Sequence, residues 1–139
     1  MPLDLSEIKY SDLNSKRNEN YNYQKISAVL ADYGFVTHRL TDDWQWADFI
    51  AQHVDGIIFL KVQLKGRLTF DKKYLEKDIY IAFRSSRGIW FLYDHDELFN
   101  IIFSEMENIQ ESKFRKDNGL YSFPGLGSKY RQFLLPYQI

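Results

Sequence analysis

An acid, an amide and a lysine occupy positions that a β-hairpin would bring onto one patch of sheet. Asp48 lies in an interrupted apolar run, and Gln63 and Lys65 lie in a run rich in β-branched residues. Asp55-Gly56 separates the runs and is a strong two-residue turn signal. A hairpin would therefore bring a carboxylate, an amide and an ammonium group together on one patch of sheet.

The turn determines which residues face each other. If the Asp-Gly dipeptide occupies the turn, Val54 pairs with Ile57 and paired residue numbers sum to 111, which places Asp48 opposite Gln63. Their Cβ atoms would lie about 4.5 to 5.5 Å apart, and Lys65 would point to the same side as Gln63. A bulge of one residue would move Asp48 to the other face.

An acid on one strand, followed by a strand with an acid-or-amide, any residue, lysine triplet and flanked by helices, resembles the PD-(D/E)xK nuclease superfamily. The matching segments are residues 46–50 and 60–65, within a resemblance that runs from about residue 20 to residue 93. It implies a restriction-endonuclease-like fold, an α/β mixed sheet with a central hairpin flanked by helices. It also implies a Mg²⁺-dependent nuclease, with Mn²⁺ as a substitute, that acts on DNA in preference to RNA.

The resemblance assigns roles to the residues of the motif. Asp48, the side-chain oxygen of Gln63 and the backbone carbonyl of Leu64 would hold the metal, and Lys65 would position the attacking water and offset negative charge. Gln63 stands where many relatives carry a second carboxylate, although the family includes members with this amide. Because hard cations prefer charged carboxylate oxygen, we expect metal binding to be weakened, and activity to be weak or absent.

Relatives of this fold often present a further polar residue from the first helix. Gln24 and Glu19 are the candidates, and Gln24 is preferred because it lies two residues before the apolar stripe that starts at Ile26. An exposed glutamine with no role is the alternative.

Composition indicates one domain. The chain has 139 residues, of which 45% are hydrophobic and 17% aromatic, enough for one core and too few for two domains. We expect a loose N-terminal arm over residues 1–18, the nuclease-like core over residues 20–93 and a helical extension over residues 94–139. There is no cysteine, which excludes disulfides and thiolate sites.

Periodicity predicts the main elements. Ile26, Val29, Leu30 and Tyr33 have the spacing of an amphipathic helix that ends at Gly34. Strands are expected at residues 35–40, 79–84 and 89–93 besides the hairpin, with a turn at residues 41–43. A second helix should be capped by Asp94 or Asp96, and a short final helix should run from Ser128 to Leu135.

Charge is uneven although the net charge is only −1. Residues 61–87 carry eight lysines and arginines against three acids, whereas residues 94–112 carry six acids and neither base. The basic stretch begins at the candidate site, where a phosphate backbone would lie. The proposed phosphate contacts are Arg67, Lys72, Lys73, Arg84 and Arg87. A solvated basic surface is an equal alternative.

The sequence also bears on location and on rival functions. The start has acids and no apolar run of signal-peptide length, and about 20 consecutive apolar residues occur nowhere, so we expect a soluble, cytoplasmic protein without membrane association. A catalytically inactive nuclease-fold module that binds nucleic acid or a protein is the main alternative. An assembly role, such as a homodimer, would use the aromatic C-terminal residues Tyr121, Phe123, Tyr130, Phe133 and Tyr137.

Overall fold

A computed structural model describes residues 1–105, 120–123 and 128–139. Within these ranges, no helix is both long enough and apolar enough to cross a membrane. The helices are α1 (Ser15–Asp32), α2 (His95–Glu105) and α3 (Ser128–Leu134). The strands are β1 (Phe35–Trp44), β2 (Ala47–His53), β3 (Phe59–Lys65), β4 (Leu68–Asp71), β5 (Ile79–Arg84), β6 (Trp90–Asp94) and β7 (Leu120–Phe123).

Five strands form one mixed sheet in the order β1-β2-β3-β5-β6. β2 pairs antiparallel with β1 and β3, β3 pairs parallel with β5, and β5 pairs antiparallel with β6. The parallel crossover from β3 to β5 passes through β4 and a short 3₁₀ helix, Lys72–Tyr74. The predicted α/β class, with a mixed sheet, a central hairpin and flanking helices, is confirmed.

Apolar side chains cover both faces of the sheet. Ala82 on β5 packs with Ile26 and Leu30 of α1, whereas Ile81 packs with Leu98 and Ile102 of α2. Adjacent strand residues point to opposite faces, so α1 and α2 lie on opposite sides of the sheet. Each helix thus buries one stripe of side chains against the strands that carry the candidate site.

The N-terminal arm is shorter than predicted. The side chain of Asn14 accepts a hydrogen bond from the backbone N–H of Arg17, and this cap starts α1 at Ser15. Residues 15–18 are therefore helical, and Tyr10–Asp12 form a 3₁₀ helix. The loose arm expected over residues 1–18 therefore extends no further than Asn14, which caps the helix.

The turn between β1 and β2 also differs from the prediction. β1 continues to Trp44, which pairs with Ala47, so the turn lies at Gln45 and Trp46 and not at residues 41–43. Both turn residues have positive φ, 49° and 70°, as a type I′ hairpin turn requires. Gly, Asn and Asp usually occupy such turns, which explains why Gln-Trp gave no signal.

The predicted register of the β2–β3 hairpin is confirmed by four pairs, from Phe49 with Val62 to Gln52 with Phe59. The loop is longer than the predicted two residues, because the backbone N–H of His53 bonds to the carbonyl of Ile58 and no strand includes Val54 or Ile57. The carboxylate of Asp55 accepts the N–H groups of Ile57 and Ile58 and stabilises this wider loop.

The C-terminal extension contains a strand as well as helices. β7 pairs antiparallel with β4 in a separate two-stranded sheet, a long-range contact that local periodicity does not reveal. The predicted cap of α2 is confirmed for Asp94, which accepts from the N–H of Glu97. Of the aromatic residues proposed for assembly, Phe133 and Tyr137 pack against the core. The side chains of Tyr121, Phe123 and Tyr130 lie outside the described part.

A buried histidine joins the crossover to α2. Nε2 of His95 accepts the backbone N–H of Asp71 at 3.0 Å, and Nδ1 lies 2.9 Å from Oδ1 of Asp96, to which it donates. Burial lowers the pKa of His95 below its ordinary value of 6.5, although Asp96 opposes the shift. The neutral ring is therefore the form that stabilises the fold.

We predict that the protein loses stability as pH falls below about 6.5, because His95 gains a proton more readily in the unfolded chain than in the folded one. His95→Gln should reduce this pH dependence between pH 7.5 and pH 5, as measured by thermal unfolding. His38→Gln, which alters an exposed histidine of β1, is the matched control and should behave like the wild type. An unchanged pH dependence in His95→Gln would contradict the assignment.

Candidate functional site

Asp48 lies where the pairing of β1 with β2 is interrupted. Arg39 pairs with Phe49, and the next pair is Trp44 with Ala47. Four residues of β1, 40–43, therefore lie opposite a single residue of β2, Asp48. A bulge of this kind bends the strand and opens the ladder, and bulges are common beside active sites. The bulge therefore creates space at Asp48 in an otherwise continuous sheet.

Pairing on the β3 side also ends next to Asp48. The last paired residues are Phe49 and Val62, one step before Asp48 and Gln63. Oδ2 of Asp48 accepts the backbone N–H of Leu64 at 2.8 Å. Ala47 and Phe49 pack in different clusters although they are two residues apart, so the regular alternation of side chains changes at Asp48.

A cleft of about 420 Å³ lies in front of Asp48, and we call it the Asp48 cleft. It is lined by three residues of α1, four of β1, one of β2 and one of β3, namely Lys16, Glu19, Tyr23, Arg39, Leu40, Thr41, Asp42, Asp48 and Leu64. Three carboxylates, those of Glu19, Asp42 and Asp48, therefore share a concave site with two cations. This mixture can hold a divalent cation on the acids and a phosphate on the cations.

Arg39 organises the helical side of the cleft. Its guanidinium lies 3.9 Å from Oε1 of Glu19 and donates to Oδ1 of Asn20 at 2.5 Å. It also covers the ring of Tyr23 at 5.1 Å. Glu19 is thus held near the cleft by an exposed ion pair, which a metal or a substrate could displace at little cost.

Lys65 lies within electrostatic range of Asp48. It is half-buried, and its Nζ is 5.4 Å from the centre of the Tyr74 ring. Burial lowers the pKa of Lys65, the neighbouring Lys73 lowers it further, and Asp48 and Asp71 act in the opposite direction. The acid and the lysine of the motif therefore interact electrostatically, although Lys65 does not line the Asp48 cleft.

Gln63 is not brought to the Asp48 cleft. On β3, Leu60, Val62 and Leu64 pack with the cluster beneath α1, so Gln63 points to the opposite face, as Lys65 does. Gln63 pairs with Ile81 of β5 and does not line the cleft. The main chain of Leu64 does reach Asp48, through the N–H group.

Of the two candidates from α1, Glu19 reaches the cleft and the preferred Gln24 does not. Gln24 is exposed. The helical row that faces the sheet contains Tyr23, Ile26 and Leu30, and Glu19 is four residues before Tyr23. Residues four apart lie on the same side of a helix, so the spacing of Glu19 and Tyr23 was a signal in the sequence that Glu19 faces the sheet.

The predicted phosphate contacts fall into two groups. Arg67, Arg84 and Arg87 line a pocket at the turn between β5 and β6, together with Arg131. Lys72 and Lys73 belong to the 3₁₀ helix of the crossover, and Nζ of Lys73 lies 5.2 Å from the Tyr74 ring, over which Lys65 also lies. Lys16, Arg39, Asp42 and Arg131 were missed because tertiary contacts alone bring them to these sites.

The donors of the Asp48 cleft fit a loosely held hard cation. In the part of the chain that the structure describes, no three His, Cys, Asp or Glu side chains are placed to enclose a metal ion. Mg²⁺ commonly uses one or two carboxylates and takes its remaining ligands from water and substrate phosphate. Asp48 and Glu19 fit this mode, whereas the amide of Gln63 lies outside it.

We predict that Asp48→Ala is less stable than Asp48→Asn by about 1 to 3 kcal/mol, because a partly buried donor would be left without an acceptor. Asparagine keeps an oxygen that can accept the N–H of Leu64, and alanine does not. Urea unfolding of the two variants measures the difference. Equal stabilities would show that this bond does not support the fold.

Removal of the Asp48 charge should also lower the pKa of Lys65, because Asp48 favours the charged ammonium. Titration of the Lys65 side chain by NMR in wild type and Asp48→Asn tests this. Asp32→Asn, which alters an exposed acid at the end of α1, is the control and should leave the Lys65 pKa unchanged. If Asp48→Asn also leaves it unchanged, the two groups are not coupled.

No family model matches the chain, and no curated protein or solved structure is significantly similar to it.

Proposed function

We propose that the protein is a Mg²⁺-dependent nuclease that hydrolyses phosphodiester bonds, in DNA more than in RNA. The observation that carries the proposal is the arrangement of Asp48, at an interrupted sheet ladder, with Lys65 in electrostatic range and Glu19 across the same cleft. The order of elements around it also agrees with the resemblance to PD-(D/E)xK nucleases. The expected cytoplasmic location is part of this proposal.

Asp48 and Glu19 are the residues proposed to hold Mg²⁺ or Mn²⁺. Such an ion, when bound, supplies a Lewis acid and makes a bound water more acidic. The bond from the N–H of Leu64 orients the Asp48 carboxylate, so this ligand is held in position before the ion arrives. Gln63 has no direct part in the proposed metal site. Glu19 takes the place of the second carboxylate of the motif.

Lys65 is proposed to contact the scissile phosphate or the attacking water. Its half-buried ammonium is less well solvated than a surface lysine, so its attraction to a phosphate oxygen is stronger than in bulk water. Lowering of its pKa by burial and by Lys73 also makes its proton easier to transfer. Tyr74 beneath the ammonium restricts where the charge can lie.

Lys72 and Lys73 are proposed to hold the backbone of the strand next to Lys65. They are exposed and adjacent to the candidate site, and phosphate contacts of this kind position nucleic acid without reading its sequence. Binding should therefore weaken as salt concentration rises. Arg67, Arg84 and Arg87 would contact the same ligand at a second place.

A catalytically inactive module that binds nucleic acid or protein is the second candidate. Two observations favour it: Gln63 lies outside the cleft, and Glu19 is already paired with Arg39. For a protein partner, or a second copy of this chain, the exposed apolar residues Val54, Ile57 and Phe59 near the β2–β3 loop offer a surface, at 77%, 82% and 56% exposure.

Cleavage of supercoiled plasmid with Mg²⁺, Mn²⁺ or EDTA tests the nuclease proposal. We predict metal-dependent nicking that falls about 100-fold or more in Lys65→Ala, because a charge close to the reacting phosphate is lost. Lys77→Ala is the matched control, since Lys77 is an exposed lysine of the same crossover. Folding of each variant is checked by circular dichroism.

The same assay separates the two helical candidates. Glu19→Gln should reduce metal-dependent nicking strongly, and Gln24→Ala should not, because Glu19 lines the cleft and Gln24 does not. Absence of nicking by folded wild type with either metal would reject the nuclease and favour the binding module. Nicking that persists in Lys65→Ala would reject the assigned site.

A further inference from the structure

Four arginines from three parts of the chain converge on one pocket. The pocket has a volume of about 280 Å³ and lies between the β5–β6 turn, the segment before β4 and the C-terminal residues. Arg67, Arg84, Arg87 and Arg131 line it, and we call it the arginine pocket. Three of the four belong to the basic stretch of the sequence, and Arg131 reaches it from α3.

The arginine pocket has a strong excess of positive charge. None of its described lining residues is acidic. Within the described residues, none of the four guanidinium groups has a carboxylate within 4 Å. Four like charges around one cavity repel each other, so an anion in the pocket would relieve repulsion as well as gain direct contacts.

The turn between β5 and β6 holds Arg84 in place. The backbone N–H of Ser85 bonds to the carbonyl of Ile89 at 2.8 Å, and the N–H of Gly88 bonds to the carbonyl of Ser85 at 2.9 Å. Gly88 has φ +77°, and a Cβ atom there would lie 3.2 Å from Nη2 of Arg84. Glycine thus provides both the backbone conformation and the space that the guanidinium occupies.

The N-terminal segment also contacts the side chain of Arg84. Its guanidinium lies 4.9 Å from the centre of the Tyr10 ring, and the hydroxyl of Tyr10 accepts from Nδ2 of Asn22 in α1. Arg84 is half-buried between an aromatic ring and the pocket. A cation held in this way is preorganised for a ligand, because little side-chain entropy remains to be lost.

We propose that the arginine pocket binds a phosphate group, supplied either by the phosphorylated end of a nucleic-acid strand or by free phosphate. Guanidinium groups match phosphate oxygens in a bidentate geometry that few other anions use as well. Ser85 and Ser86 line the same pocket and can donate hydroxyl hydrogen bonds. Apolar lining by Leu68, Phe83 and Phe91 lowers the local dielectric and strengthens these contacts.

The arginine pocket is separate from the Asp48 cleft. The two share no lining residue. Phosphate binding therefore does not depend on the proposed nuclease activity, and binding can be measured in EDTA, where metal-dependent cleavage does not occur. A failure of phosphate binding and a failure of cleavage are thus distinguishable.

Binding is tested on the full chain with three probes in EDTA: inorganic phosphate, a short single-stranded DNA with a 5′-phosphate, and the same DNA with a 5′-hydroxyl. We expect Arg84→Ala and Arg131→Ala each to weaken phosphate binding at least about tenfold, the loss of one charge-assisted bond. Arg17→Ala, an exposed arginine of α1 outside the pocket, is the control and should bind like wild type. Arg131 is exposed, so its removal should not prevent folding even if Arg84→Ala does.

The three probes also identify the source of the phosphate. Tighter binding of the 5′-phosphorylated DNA than of the 5′-hydroxyl DNA supports a strand end. Binding of inorganic phosphate with no difference between the two DNAs supports free phosphate. Absence of phosphate-dependent binding in folded wild type, or an equal loss in Arg17→Ala, overturns the proposal.

Discussion

The hydrogen bond from the backbone N–H of Leu64 to the carboxylate of Asp48 lies where a bulge interrupts the pairing of β2 with β1 and where the pairing of β2 with β3 ends. On one side residues 40–43 of β1 bulge away, and on the other the register ends at Phe49 and Val62. A backbone donor that loses its strand partner must find another acceptor, and Asp48 provides one. The same side chain therefore satisfies the sheet and lines the cleft, which links the fold to the candidate site.

β3 connects this point to the rest of the molecule. It pairs antiparallel with β2 and parallel with β5, so its C-terminal end leads into the crossover. The crossover contains the 3₁₀ helix Lys72–Tyr74, which lies next to Lys65. The ammonium of Lys65 lies over the Tyr74 ring. On the other face, α1 contributes Glu19 to the cleft. Charged side chains from the crossover and from α1 thus lie on opposite faces of the sheet near the end of one hairpin.

The sequence was sufficient to predict the α/β class, the hairpin register and the Asp94 cap, because local signals determine them. Alternation and a turn dipeptide set the pairing of Phe49 with Val62, even though the loop is wider than predicted. The bulge at residues 40–43 contains no glycine and ends in an unusual Gln45-Trp46 turn, so neither feature had a local signal. The predicted approach of Gln63 to Asp48 assumed regular pairing one step beyond the point where the ladder ends. The meeting of Arg84 with Arg131 depends on tertiary packing, which periodicity cannot predict.

The proposed divalent cation would bind at Asp48 and Glu19 in the cleft that the bulge opens. Mn²⁺ is paramagnetic, so adding small amounts to ¹⁵N-labelled protein broadens the NMR signals of nearby backbone amides. We expect the signals of Leu64, Thr41 and Glu19 to broaden first in wild type, and Asp48→Asn to reduce the effect greatly. Uniform broadening, or broadening centred on another acidic segment such as Asp94 and Asp96, would contradict the claim.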